Sequence, residues 1–177
     1  MASRRNRRGK VNAKGRNENP IKRFVGLPHE ILLSPAFRSL DAVARSLLTE
    51  IAMLENGRNN GSLWLSVRDA TDRVGLADAR PVIRGFDMLQ EAGLIAMTKD
   101  AHFTVKASET SRARCWRLTW RPFDGKPPSN EWRDYQPEAG TKESKRADKG
   151  LRAMARYRKQ LASSKIPVVD FTATDAN

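Results

Sequence analysis

The stretch LWLSVRDATDRVGLADARPVIRGFDMLQEAGLIAMT at residues 63–98, with RCWRLTW at residues 114–120, decides how this chain folds. Leu63-Trp64-Leu65 is a short apolar strand. Ser66 suits a helix N-cap, and Asp69 three residues on approximates a capping box. Val67, Ala70 and Val74 recur at helical spacing, and Gly75 closes that helix with a residue free to take left-handed backbone. Leu76 plugs the turn. Asp78 is expected to cap a second helix over residues 79–92, with Val82, Ile83, Phe86, Leu89 and Gln90 on the inner face. Arg80, Arg84 and Asp87 project outward near its first two turns. Pro81 fits because it lies in the first turn. Gly85 costs up to roughly 1 kcal/mol against alanine, so it points to close approach by the preceding helix.

After Gly93, residues 94–98 form a strand whose partner is 114–120, where Trp116, Leu118 and Trp120 alternate with Cys115, Arg117 and Thr119. At their spacing Trp64, Trp116 and Trp120 are core and sheet residues rather than base-stacking platforms. Between the strands, residues 99–113 make a long basic tip bearing Lys99, His102, Lys106 and Arg112.

Upstream, Pro28 and Ser34-Pro35 mark two short helix starts, with Ala36 and Phe37 packing inward. Asp41 caps a longer helix that runs to Glu55 without Gly or Pro; Val43, Leu47, Ile51 and Leu54 share a face that Ala44 and Leu48 widen. Asn56-Gly57 ends it. Downstream, Asp124-Gly125 and Pro127-Pro128 read as a linker from which Trp132 and Tyr135 pack back. Residues 142–165 hold nine basic and two acidic residues, with Ala147, Leu151, Met154 and Leu161 spaced for one helical face. A helix of that length is marginal alone in water, so it is expected to fold on binding.

Charge is uneven. The net +13 comes mostly from the flanks: residues 1–23 carry nine Lys/Arg and one acid, residues 24–120 twelve and eleven, residues 121–177 twelve and eight. Basic arms on a nearly neutral centre suit a polyanionic partner. The single cysteine, Cys115, excludes an internal disulfide and fits a reducing compartment. No apolar run spans a bilayer and no apolar segment follows the basic N-terminus, so the expectation is a cytoplasmic, nucleoid-associated bacterial protein with no membrane contact.

The fold class expected is α+β, mainly α: a winged helix-turn-helix domain at 24–121, with a disordered basic arm at 1–23, a linker at 122–141, and a basic helical or disordered tail at 142–177. The segments FVGLPHEILLSPAFRSLDAVARSLLTEIAMLENGRNNGSLWLSVRDATDRVGL, GFDMLQEAGLIAMT and ARCWRLTW resemble the winged helix-turn-helix DNA-binding proteins of bacteria, phages and plasmids, replication- or transcription-associated. The resemblance covers residues 24–120 and implies that fold and DNA binding. It says nothing firm about the chain after Lys126. The entry to the second helix, ADARPVIRGF, departs from the family by an extra residue and a proline.

The expected function is sequence-specific binding of double-stranded DNA, regulatory or replication-associated. The 79–92 helix enters the major groove, where Arg80 and Arg84 offer paired donors to guanine or phosphate, beside Asp87. Arg68 and Arg73 make phosphate contacts, or ion pairs with Asp69 and Asp72. Lys99, His102, Lys106, Arg112 and Arg114 hold the backbone from the wing, and Arg4, Arg5, Arg7 and Arg8 from the arm. A protein-interaction adaptor docking through residues 142–171 is the alternative, with RNA binding below both. A homodimer on a palindromic site and a monomer both fit. No catalytic residue, cofactor or metal is expected: His29, His102 and Cys115 are too few and scattered for zinc, and phosphate-cradling glycine motifs are absent.

Overall fold

The computed structural model describes residues 24–99 and 114–163. Proline and serine punctuation sets the first elements: α1 (His29–Leu32) follows Pro28, and α2 (Pro35–Ser39) is capped by Ser34, whose Oγ accepts from the Phe37 amide at 3.2 Å. Asp41 caps α3 (Ala42–Met53), its Oδ1 accepting from the Ala44 amide at 2.8 Å. Ala44, Leu47, Leu48 and Ile51 are fully buried, so α3 is the helix about which the rest packs. β1 (Leu63–Trp64), α4 (Val67–Val74), α5 (Arg80–Glu91), β2 (Ile95–Lys99) and β3 (Cys115–Leu118) follow. A 3-10 turn at Glu131–Arg133 and the long α6 (Lys142–Ser163) complete the described chain.

The fold is α+β, with a three-stranded antiparallel sheet in the order β1-β3-β2. β3 is central, facing Leu63 with Trp116 and Ile95 with Leu118, and the ladder shifts register between Met97 and Lys99. β1 is only two residues long, and a side chain lengthens its edge. Asn60 Oδ1 accepts from the Leu118 amide at 2.7 Å, while its Nδ2 donates to the carbonyls of Leu118, Arg121 and Pro122. α5 packs on the sheet through Phe86, which stacks on Trp116.

The core extends past residue 121, where the sequence suggested a linker. Trp132 is 5 % exposed, and a Cβ on Gly93 (φ +65°) would lie 2.8 Å from the Glu131 carbonyl carbon. Ion pairs Arg117–Glu131 at 2.6 Å and Arg133–Glu30 at 2.8 Å hold this turn to the sheet and to α1. Nor does the tail stand apart: the first half of α6 docks on α2, burying Ala147.

Several local expectations are corrected. Trp64 is 64 % exposed, because Leu63 and Leu65 on either side face the core and a strand alternates its faces. Ile83 is 44 % exposed, because α3 lies over Val82, Gly85, Phe86 and Leu89 and leaves residue 83 on the rim. The approach permitted by Gly85 is by α3, not by the preceding α4: a Cβ there would sit 3.3 Å from Leu47 Cδ2 and 3.6 Å from Ala44 Cα. Asp78 is not the N-cap of α5. Ala79 holds that position without a side-chain bond, and Asp78 Oδ1 instead accepts from the Arg80 amide at 3.0 Å. Gly75 does close α4 in left-handed backbone, at φ +74°.

Candidate nucleic-acid interface

α5 presents one face to α3 and the sheet and the other to solvent. Val82, Gly85, Phe86 and Leu89 are buried, so residues 80, 83, 84, 87 and 91 form the outer face. Arg80, Arg84 and Asp87 therefore lie together and outward, joined by Ile83.

Neither arginine pairs with Asp87. Arg80 Nε donates to Asp78 Oδ2 at 2.8 Å, and its side chain is 89 % exposed. Arg84 Nη2 reaches Asp41 Oδ2 at 3.4 Å and remains 68 % exposed. Exposed pairs contribute roughly 0–1 kcal/mol, so a phosphate or a base edge can displace either carboxylate at small cost. Asp41 thus serves two helices, one oxygen capping α3 and the other holding Arg84.

On α4, Arg73 pairs with Glu50 of α3 at 3.5 Å rather than with Asp72. Asp69 is engaged by Ser66, which accepts from its amide and donates to its carboxylate at 2.7 Å. Arg73 is thus tied to α3 but remains 43 % exposed, and Arg68 is exposed on the outer side of α4. Lys99 ends β2 and Arg114 directly precedes β3, at the same end of that strand pair. The remaining wing candidates, His102, Lys106 and Arg112, and the arm candidates Arg4, Arg5, Arg7 and Arg8, lie outside the described residues.

One group of charges had no sequence signal. Arg45 on α3 donates to the Arg38 carbonyl at 3.1 Å, and Arg146 on α6 donates to the Ser39 carbonyl, so both serve the carbonyl end of α2. Arg38 and Arg45 also lie over the Phe37 ring, at 5.8 and 5.1 Å. Burial, and then the positive charges of Arg38 and Arg146, push the Arg45 guanidinium below the ordinary arginine range; Asp41 acts in the opposite sense. Residues 107 apart in sequence meet here, a separation that periodicity cannot reveal.

Among the described residues no group of three His, Cys, Asp or Glu is placed to hold a metal, and no helix is long and apolar enough to cross a membrane. Comparison with protein-family models, curated proteins and solved structures gave no match to this chain.

Proposed function

We propose that the chain is a sequence-specific double-stranded DNA-binding protein with a winged helix-turn-helix domain. α3, α4 and α5 are its three helices, and β2 and β3 are the strands of its wing. The observation that carries this reading is the outer face of α5, where Arg80, Ile83, Arg84 and Asp87 stand clear of the core on a helix fixed behind by α3 and Trp116. An α-helix fits the major groove of B-DNA, and an arginine there can give two hydrogen bonds to guanine. The order α3-β1-α4-α5-β2-β3, with β3 central, supports the reading by putting the hairpin beside the exposed helix. Most of the electrostatic affinity is assigned to the basic flanks, because the centre is nearly neutral.

Selection of bound sequences from a random duplex library tests the reading. Enrichment of a defined motif is the expected result. An inverted repeat indicates a dimer and direct repeats indicate an array of binding sites. Absence of duplex binding at low salt rejects the reading.

A further inference from the structure

Lys142, Lys145, Lys149, Arg152, Arg156 and Lys159 recur every three or four residues along α6, and all six are exposed. They form a single stripe of about 26 Å, at about 1.5 Å of rise per residue. The face turned away from them is the one that docks: Ala147 is buried, and Gly150, Leu151 and Met154 are half-buried. Docking is close. A Cβ on Gly150 would lie 3.0 Å from Arg38 Cδ, Arg146 bonds the end of α2, and Thr141 Oγ1 caps the helix by accepting from the Ser144 amide at 3.2 Å. The stripe as far as Arg152 is thus presented on a fixed scaffold, and Arg156 and Lys159 continue it on the exposed second half of the helix. α6 holds two acids: Glu143, which pairs with Arg146 at 3.8 Å, and Asp148, which pairs with Arg152 at a loose 3.9 Å.

A run of side chains links α6 to α5. Arg84 meets Asp41, Asp41 and Arg146 both act on Arg45, and Arg146 belongs to α6. Arg38 and Arg146 both bear on the Arg45 guanidinium, which Asp41 favours while also capping α3 and holding Arg84, and Glu143 pairs with Arg146 at 3.8 Å.

We propose that the exposed stripe of α6 is a second phosphate-binding track that lies on the backbone of the same DNA duplex that α5 enters. This rests on the reading of α5 as the groove-binding helix. Evenly spaced cations complement a regular line of charge, and B-DNA carries one phosphate per roughly 3.4 Å of axis on each strand. No apolar anchor of the kind that fixes a protein partner interrupts the stripe, and no aromatic residue in it can stack on unpaired bases.

The test compares the full chain with a variant carrying Lys145→Gln, Lys149→Gln, Arg152→Gln and Arg156→Gln. Fluorescence anisotropy is read on a labelled mixed-sequence duplex of roughly 30 base pairs, about three helical turns, across a salt series. Expected is a shallower dependence of log affinity on log salt, by about 0.9 per lost contact and about 3–4 in all. The preference for a selected sequence over the mixed one should stay the same. Arg158→Gln, on the other side of the helix, should leave the slope unchanged. An unchanged slope in the fourfold variant, with wild-type helicity by circular dichroism, overturns the proposal and leaves the α5 reading standing. No duplex binding by the wild type overturns both. Should the variant lose helicity, hydroxyl-radical footprinting of the wild type decides: protection beyond the groove site supports the track, and protection confined to that site overturns it.

Discussion

The ring of Phe86 lies 4.8 Å from that of Trp116, with the two planes 13° apart. One belongs to α5 and the other to the central strand, so this stack sets the angle between the exposed helix and the hairpin strands. Phe86→Ala removes a fully buried ring and should cost about 3–5 kcal/mol by urea denaturation. Phe86→Leu should cost less and retain more of any duplex binding.

Asp41→Asn separates the two duties of that side chain. Asparagine caps a helix as well as aspartate does, so the stability change should stay within about 0.5 kcal/mol. Arg84 loses its carboxylate and becomes available to an anion. Tighter duplex binding at low salt is the expected anisotropy result, whereas Asp41→Ala should cost about 1 kcal/mol of stability through the lost cap.

Arg84→Ala should leave folding nearly unchanged, since an exposed pair is worth roughly 0–1 kcal/mol. Its effect belongs in recognition. Binding to the selected sequence should weaken by about 1–3 kcal/mol more than binding to a mixed duplex. Equal losses on both would demote Arg84 to a phosphate contact.

Gly85 and Gly93 should respond oppositely to alanine. At Gly85 the nearest obstacle is the movable end of Leu47, and the helix gains up to about 1 kcal/mol of propensity, so the net change should be small. At Gly93 a Cβ meets backbone at 2.8 Å in left-handed geometry, and a loss of about 2–4 kcal/mol is expected in thermal or urea unfolding.

Asn60→Asp keeps the shape of the side chain but removes the donor that serves three carbonyls. It also sets a negative charge against them. A loss of about 2–3 kcal/mol is expected by the same measurement.

Periodicity carried the helices and the hairpin strands, because each is decided by neighbours within a few residues. The outward set Arg80, Arg84 and Asp87 was legible for the same reason. Ile83 was not, since its exposure depends on where α3 crosses α5, close against Gly85, and that crossing is a tertiary fact. Trp64 was misjudged from its bulk, although the alternation Leu63-Trp64-Leu65 already turned it outward. The return of Trp132 to the core was legible from its bulk after a Pro/Gly linker, but Asn60 and the Arg38–Arg45–Arg146 group depend on contacts across tens of residues that no local pattern encodes. α6 was legible as an amphipathic helix, but its seat on α2 was not.

Because β3 is the middle strand, the two described halves of the chain cannot be told apart as separate bodies. Residues 24–99 supply both outer strands and the surface under α6, and residues 114–163 supply the strand between them, Trp132 and α6 itself. A backbone cut anywhere in 100–113 would therefore leave two fragments interlocked as one particle.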